Sequence, residues 1–399
     1  MMDFDLGHLL VVDDNEMNRD LLSRRLRKKG HQVQVAKGGA KALEMIQSEA
    51  FDLVLLDIMM PVMDGFEVLE RIREKHGPSE LPVVMATAKT ESEDIVAALK
   101  IGANDYVVKP FDFPVVLARV HTQLALKKGR DALAQAHRRM KLDLEAAAAI
   151  QQTLLPAEKP EVPGARCAWR YVPCDELAGD TLNVIRLDDK TTGLFVLDVS
   201  GHGVSSSLLS VTLSRLMSGA PDASSVLWKR KPGSGKIRVA SPLEVAGELS
   251  HQFPCDAATR QYFTLVYGTL DVDSRILTYV SAGHPPMIQL RPGSDPVFHR
   301  STGLPIALVP ADLTPSAIEQ ATVSLDPGDR LYLFSDGIPE ARNSDGEQYG
   351  EARTADALQS CMDRGLDESI DFLLEEVWDW AGGKGPDDDV SILAIEIEG

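Results

Sequence analysis

The stretch L-V-L-L-D-I-M-M-P-V-M-D-G, residues 53–65, decides the fold of the first third of the chain. Four apolar residues, Leu53–Leu56, run directly into a carboxylate at Asp57, and Pro61 and Gly65 break any continuation. A short apolar run bounded by turn residues reads as a strand buried on both faces, as in a parallel sheet. Such a strand hides its body and leaves Asp57 at its carboxyl end. Working outward, runs of the same character occur at Leu9–Val12, Val33–Ala36, Val83–Ala86 and Tyr106–Val108. Helical periods lie between them, among them Leu21, Leu22, Leu26 and then Ala42, Leu43, Ile46, with turn signals at Gly30, Gly38, Gly39 and Gly102. Alternation of this kind predicts an α/β domain with a doubly wound, five-stranded parallel sheet, whose ligands bind beyond the carboxyl ends of the strands.

That rim collects chemistry. Asp13 and Asp14 end the first strand and Asp57 the third, so three carboxylates converge and repel unless a cation sits among them. Hard oxygen donors select Mg2+. Thr87 and Lys109 close the fourth and fifth strands at the same rim, offering a hydroxyl and an ammonium to an incoming phosphoryl oxygen. Pro110 would hold the lysine-bearing turn in one shape. A single aspartate at a strand end reads as a turn residue; five placed residues at successive strand ends do not.

The motifs V-V-D-D (11–14), L-L-D-I-M-M-P-V-M-D-G (55–65), A-T-A (86–88) and D-Y-V-V-K-P-F (105–111) resemble the receiver domain of two-component response regulators, over 1–125. The resemblance implies that Asp57 accepts a phosphoryl group and that Asp14 binds Mg2+ directly. It further implies that Asp13 acts through water, that the Met59 carbonyl is another ligand, and that Lys109 contacts the phosphoryl group. Thr87 and Tyr106 would form the switch pair. An upstream histidine kinase or phosphotransfer protein would be the donor.

Between Pro114 and Pro156 there is no proline, and Gly129 is the only glycine. A continuous helix there would be a rod of roughly 60 Å at 1.5 Å per residue. A seven-residue template places Leu126, Arg130, Leu133, His137, Met140, Leu144, Ala147, Gln151 and Leu154 along one seam. Two readings stay open for this linker, 126–158: a solvated connector, or a homodimeric coiled coil whose polar seam residues fix register.

The remainder, 159–399, mixes strand-like runs (Gly193–Leu197, Phe263–Leu270, Ile276–Ser281, Arg330–Phe334, Val390–Ile397) with helical patterns at Ser205–Met217, Pro242–Gln252 and Ser369–Trp380. Short Asp/Gly/Pro turns favour antiparallel sheets. Lys229–Lys236 reads as a mobile surface loop. Four acidic signatures recur: A-G-D-T-L-N (178–183), L-D-V-S-G-H-G (197–203), F-S-D-G-I-P-E-A (334–341) and P-D-D-D-V-S-I (386–392). Clustered carboxylates without an interposed lysine or arginine require metal, and all-oxygen donors point to Mg2+ or Mn2+. Two such ions can activate water and clamp a phosphoryl group.

Together with Q-Q-T-L-L-P (151–156), Y-F-T-L (262–265) and S-A-G-H-P-P (281–286), these signatures resemble the metal-dependent serine/threonine phosphatases of the SpoIIE/RsbU type. The resemblance implies an α/β-β/α sandwich holding two Mn2+ or Mg2+ ions and no side-chain nucleophile. Asp198 would bridge both ions, with the Val199 carbonyl and Asp180 on the second. Asp336 and Asp388 would hold the first, Asp388 being preferred in the run Asp387–Asp389 because the family pattern is an acid, then Asp or Asn, an aliphatic, and Ser or Thr. The family often has Gly-Gly-Asp, two aromatics and a further Asp where this chain has Ala178, Gly179, Asp180, Thr181, Leu182, Asn183. His202 and His284 lie in glycine-rich turns, where a structural role is the simpler reading. The usual substrate by resemblance is a phosphorylated anti-sigma-factor antagonist. The competing function is a phosphatase-like scaffold serving as a phosphorylation-controlled adaptor, which would have no use for four mutually repelling carboxylates.

Composition narrows the partners. Lys plus Arg number 41 and Asp plus Glu 60, for a net charge of −19. The excess falls in 161–399, which has 19 basic and 36 acidic residues. A nucleic-acid backbone or an anionic membrane would be repelled. No apolar run approaches the about 20 residues of a membrane span, and Met1–Asp5 has no export signal. Cys167, Cys174, Cys255 and Cys361 show no paired spacing. The expectation is a cytoplasmic protein with reduced thiols.

Overall fold

The computed structural model describes residues 6–88, 92–201, 203–221, 224–231, 235–255, 261–300, 303–308 and 318–399. The chain divides into two compact units, Met1–Lys141 and Leu142–Gly399.

In the first unit β1 (His8–Val12), β2 (Gln32–Ala36), β3 (Leu53–Asp57), β4 (Val83–Thr87) and β5 (Asp105–Val108) form a parallel sheet in the order β2-β1-β3-β4-β5. Helices α1 (Glu16–Lys28), α2 (Gly39–Ser48), α3 (Gly65–Arg73), α4 (Ser92–Ile101) and α5 (Phe113–Gln152) alternate with the strands. The central strands β1, β3 and β4 are buried on both faces because each face has its own core. Leu9, Val11, Leu53 and Leu55 pack with Leu22 and Leu26 of α1 and Val116, Val120 and Leu124 of α5. Leu10, Val12, Val54 and Leu56 pack with Ala42 of α2 and Val68, Leu69 and Ile72 of α3.

Polar residues set the helix starts. Asn15 accepts the Met17 N–H at 2.9 Å, and Asp64 accepts the Glu67 N–H at 2.9 Å. Gly65 is required for a different reason: a Cβ there would stand 2.3 Å from the Asp57 carbonyl oxygen. The α3 start is therefore pressed against the end of β3.

Helix α5 runs unbroken through Gly129 but stops at Gln152, four residues short of Pro156. The Thr153, Leu154 and Leu155 amides bond to the Ile150, Gln151 and Gln152 carbonyls, so tighter i→i−3 turns close the helix early. Along the seam, Leu126, Leu133 and Met140 are exposed, but Gln151 is buried and Leu154 lies past the helix end. The last two seam members are thus engaged elsewhere.

In the second unit β6 (Ala165–Val172), β7 (Thr181–Arg186) and β8 (Thr191–Val199) are followed by α6 (Val204–Leu216), β9 (Trp228–Arg230), β10 (Ile237–Val239) and α7 (Pro242–Gln252). Then come β11 (Phe263–Asp271), β12 (Ile276–Ala282), β13 (Met287–Leu290), β14 (Val297–His299), β15 (Gln320–Ser324) and β16 (Arg330–Phe334). Helices α8 (Gly350–Ser360) and α9 (Leu366–Trp380) and strand β17 (Val390–Ile397) complete it. Two antiparallel sheets, β15-β12-β11-β8-β7 and β14-β13-β16-β17-β6, stack face to face. Helices α6 and α7 cover the first and α8 and α9 the second, an α/β-β/α sandwich.

Two local readings change. Helix α9 starts at Leu366 rather than Ser369, because Glu368 reaches back to the Gly365 N–H at 3.2 Å and stabilises an earlier first turn. The Lys229–Lys236 stretch is flanked by the β9–β10 ribbon, which carries Lys229 and Arg230 in a strand; 232–234 lie outside the described residues. All four cysteines are free.

Overpacking at the α3 start gives a first expected outcome. Gly65→Ala should lower receiver stability by about 1–3 kcal/mol, read as a lower urea midpoint of the first unit. An unchanged midpoint would show that α3 is not held against β3 as described.

Two candidate metal centres

At the rim of the parallel sheet, Asp13, Asp14 and Asp57 bring carboxylate oxygens within 4.8 Å of one another. Asp13 and Asp57 are buried and Asp14 is exposed. Lys109 Nζ lies 2.8 Å from Asp13 Oδ2 and 2.8 Å from Asp57 Oδ2, an ammonium bridging both carboxylates. Burial would lower the lysine pKa, but the hydrogen bonds to Asp13 and Asp57 reverse this and raise it. The Asp57 carboxyl is raised by burial, a tendency Lys109 opposes and Asp13 reinforces. Asn15 N–H (2.8 Å) and Asn18 Nδ2 (3.0 Å) donate to Asp13, and Arg19 donates to the Asp13 and Asp14 carbonyls at 2.7 Å. These contacts fix the D-D turn. Thr87 is buried at the end of β4, and the Lys109 N–H bonds to its carbonyl at 2.8 Å. Met59 is exposed in the loop after β3, and Tyr106 packs partly into the α2–α3 core. Asp13, Asp14, Asp57, Met59, Thr87 and Lys109 lie at or just past the carboxyl ends of β1, β3, β4 and β5, whereas Tyr106 stands near the start of β5.

The second centre follows from strand alternation. In β8, Phe195, Leu197 and Val199 face α6 and α7, while Leu194 and Val196 face the other sheet. Asp198 therefore points between the sheets, opposite Thr264 of β11. By the same alternation in β16 and β17, Ser335 and Ser391 enter this layer beyond Leu333 and Leu393. Asp180 leads into β7, Asp336 follows β16 by one residue after Ser335, and Asp388 and Asp389 precede β17. Five carboxylates thus approach one end of an otherwise apolar layer.

Their electrostatics show the strain. Burial and then Asp336, Asp388 and Asp389 push the Asp198 carboxyl up to about 8. Burial and then Asp388 push Asp336 up to about 6. Asp180, almost fully buried, is raised by burial and by Asp198; the nearby Ser335 and Ser391 hydroxyls oppose this without offsetting it. Asp180 Oδ2 has no hydrogen-bond partner among the described residues. No lysine or arginine among the described residues pairs with Asp180, Asp198 or Asp336. This donor set, all oxygen and short of compensating charge, suits hard divalent cations.

Asp389 differs from its neighbour. Its two oxygens accept the Cys174 N–H at 2.8 Å and the Gly179 N–H at 2.7 Å, so it ties the 174–179 loop to β17. Asp388 is exposed and acts on Asp198 and Asp336. Gly337 permits this convergence: a Cβ there would stand 2.1 Å from the Asp389 carbonyl oxygen. A cleft of about 140 Å³ lined by Gly337, Glu340, Arg342, Asp387 and Asp388 opens alongside.

Some participants escaped the sequence reading. Gln151, from the last turn of α5, donates to the Ala178 carbonyl at 2.8 Å and accepts the Ala178 N–H at 3.3 Å. It clamps the backbone two residues before Asp180; its signal was a glutamine at an apolar seam position. Asn183 donates to the Leu154 carbonyl at 3.0 Å and thereby serves the chain end of the helix. Cys174 Sγ stands within 4.8 Å of Asp388 and Asp389 oxygens. His284 is buried with Nδ1 2.7 Å from Thr264 Oγ1, and burial pushes its pKa down to about 3, so it is a neutral packing group. His202 lies outside the described residues.

Raised carboxylates carry a stability consequence. Each binds more protons in the folded chain than in the unfolded one, so folding stability falls as pH rises from roughly 4, the ordinary carboxylate value, toward about 8 at Asp198. In EDTA, the melting temperature of Asp198→Asn should gain on that of the unmodified chain across this interval. Parallel pH curves for the two proteins would contradict the buried-charge arrangement.

Comparisons with known proteins follow this division. Residues 9–121 match the response regulator receiver domain, and residues 188–398 match stage II sporulation protein E (SpoIIE). Regulatory protein VanRc of Enterococcus gallinarum is 45% identical over 116 residues, covering 29% of this chain and 49% of that protein. The chain thus spans about half the length of this curated relative. Among solved structures, the SiaA-PP2C domain of Pseudomonas aeruginosa aligns with a TM-score of 0.52 at 20% identity, covering 66% of this chain and 100% of that domain. The PP2C phosphatase domain and regulatory fragment of SpoIIE from Bacillus subtilis aligns at 0.47 and 18% identity, over 58% of this chain and 63% of that one. Among the described residues no helix is long and apolar enough to cross a membrane. With more than half its length matched and the PP2C sandwich in place, the chain belongs to the SpoIIE family, its phosphatase-type domain preceded by a response regulator receiver domain.

Proposed function

We propose that this chain is a response regulator whose output is a metal-dependent protein serine/threonine phosphatase. The observation that carries the reading is the set of carboxylates at the end of the sandwich, Asp180, Asp198 and Asp336, which have no lysine or arginine partner among the described residues. A scaffold used only for binding gains nothing from holding them together. In this reading Asp198 serves both cations, Asp180 and the Val199 carbonyl serve the second, and Asp336 and Asp388 serve the first. The Asp389 contacts support the choice of Asp388, because both Asp389 oxygens are occupied by backbone N–H groups. When bound, the Mn2+ or Mg2+ pair supplies a water of lowered pKa and neutralises phosphoryl oxygens. The chain's own part is to orient that pair and to exclude bulk water from one side through the apolar inter-sheet layer. The phosphoprotein substrate is a phosphorylated anti-sigma-factor antagonist or a similar regulator.

The receiver, 1–125 in this division, takes a phosphoryl group on Asp57 from a histidine kinase or phosphotransfer protein. Asp14, Asp57 and the Met59 carbonyl hold Mg2+, with Asp13 acting through water. Lys109, already 2.8 Å from Asp57, meets the added phosphoryl charge, and Thr87 and Tyr106 respond to it. The linker, 126–158, pairs with that of a second copy along Leu126, Leu133 and Met140, whose exposure supports a homodimer. The remaining residues, 159–399, form the phosphatase. The Gln151 clamp on Ala178 supports a route by which the helix end acts on Asp180.

Asp198→Asn should reduce Mn2+-dependent hydrolysis of phosphoserine or phosphothreonine proteins to background while the far-ultraviolet spectrum is retained. Full turnover in that variant, or in EDTA, would sink the phosphatase reading.

Control through a paired helix has its own signature. A straight helix drifts only about 20° per heptad, whereas four extra residues carry the seam to another face. Seven helix-forming residues inserted near Arg138 should preserve the activity difference between phosphodonor-treated protein and Asp57→Ala, and four should erase it. Equal behaviour of the two insertions, or a monomer by sedimentation with and without phosphodonor, would replace the paired helix with a tether.

A further inference from the structure

The polar end of the inter-sheet layer also holds hydroxyls that the proposed ligand set leaves out. Tyr171 of β6 and Ser391 of β17 are directly opposed cross-strand partners. Cys167 and Trp169 before the tyrosine, and Leu393 and Ile395 after the serine, pack between the sheets, so alternation turns both hydroxyls into the same layer. The Tyr171 hydroxyl, the Ser391 hydroxyl and Asp180 Oδ2 are all buried, and none has a hydrogen-bond partner among the described residues. Asp389 and Asp180 both act electrostatically on the Tyr171 phenol, after burial itself, and the Ser391 hydroxyl acts on Asp180. Three unsatisfied polar atoms therefore share one buried region.

Such an arrangement is costly, since buried polar groups are nearly always paired. It becomes intelligible if the pairing is completed only when a ligand is bound. A carboxylate that ligates a cation through one oxygen presents the other to donors, and here the donors in place are a phenol and a serine hydroxyl. Donors of this kind orient a ligating side chain and raise metal affinity without touching the metal.

We propose that Tyr171 and Ser391 are positioning residues that hold Asp180 in its cation-binding orientation, Tyr171 donating to Asp180 Oδ2 and Ser391 bracing the same carboxylate. The inference rests on the two-cation reading above and adds residues to it. Tyr171 lies on the strand across from the P-D-D-D-V-S-I segment, outside the four acidic signatures, so the sequence offered no reason to couple it to Asp180.

The test is a Mn2+ titration of the full-length chain followed by electron paramagnetic resonance, in an Asp14→Ala background that weakens receiver binding. Melting curves in EDTA accompany it. Tyr171→Phe should weaken Mn2+ binding roughly ten- to a hundredfold, and Ser391→Ala should act in the same direction, while Ser391→Thr keeps the hydroxyl and the affinity. Because each deleted hydroxyl is unsatisfied without metal, the EDTA melting temperature should stay level or rise. A lowered EDTA melting temperature would make the residues merely structural and overturn the proposal. Unchanged Mn2+ affinity in Tyr171→Phe, with affinity lost in Asp198→Asn, would overturn it while leaving the cation centre standing. Unchanged affinity in Asp198→Asn would overturn the two-cation reading itself.

Discussion

Repulsion among converging carboxylates is the constraint around which the second unit is organised. Asp180, Asp198 and Asp336 enter from three separate segments into a layer whose other occupants are Leu194, Val196, Val266, Leu333 and Leu393. Two unit charges at about 4 Å repel by on the order of 4 kcal/mol even at an effective dielectric near 20. Antiparallel strands with their backbone hydrogen bonds already made can hold such groups together, because the scaffold's stability comes from elsewhere. The buried faces of β8, β11, β16 and β17 supply it, and helices α6 to α9 seal the outer sides. Asp389 adds a second kind of support, since its carboxylate is spent on the Cys174 and Gly179 amides and keeps the loop before Asp180 in place.

The first unit meets the same problem and resolves it differently. Asp13 and Asp57 are both buried, yet Lys109 stands between them at 2.8 Å from each. That ammonium compensates part of the charge while leaving Asp14 at the surface beside them. One centre carries its own counter-charge and the other does not. The difference suits the proposed roles: in that reading Asp57 must be approachable by an anionic donor, and a lysine favours that approach. In the same reading, a centre proposed to hold two cations has no room for a fixed one.

Much of this was legible in the chain. Strands whose residues are all apolar, such as Leu53–Leu56, allow one interpretation, and β16 and β17 begin and end where the sequence places them. Strands β6, β7 and β15 were missed because A-R-C-A-W-R-Y-V, T-L-N-V-I-R and Q-A-T-V-S mix polar and apolar residues on edge positions of their sheets. The residues that complete the second site were hidden for a related reason. Gln151 and Ser391 stood inside quoted signatures, but the partners of Gln151, Tyr171 and Ser391 are far away in sequence, and a hydroxyl or an amide does not announce its partner. The aspartates were visible because charge beside glycine after an apolar run is rare unless something needs it. Departures at Thr181 and Asn183 also acquire physical content: Thr181 is buried at the head of β7, and Asn183 braces the Leu154 carbonyl.

The end of α5 shows how the two kinds of information combine. A heptad template extended to Leu154 treats Gln151 as a polar lapse in a seam, tolerable in a coiled coil as a register device. Its actual partners are both backbone groups of Ala178, so the residue is a bracket between a helix end and the loop that leads to Asp180. A glutamine can do this because its amide carries a donor and an acceptor in one plane, matching the N–H and C=O of a single residue. Glutamate would leave one contact repulsive and leucine would leave two backbone groups unsatisfied in a buried place. The i→i−3 turns at Thr153–Leu155 follow from the same requirement, since a helix continued to Pro156 would carry the chain past the point where Asn183 receives it. Helix length, the glutamine and the loop before Asp180 are therefore one structural decision, and the position of a carboxylate depends on where a helix stops.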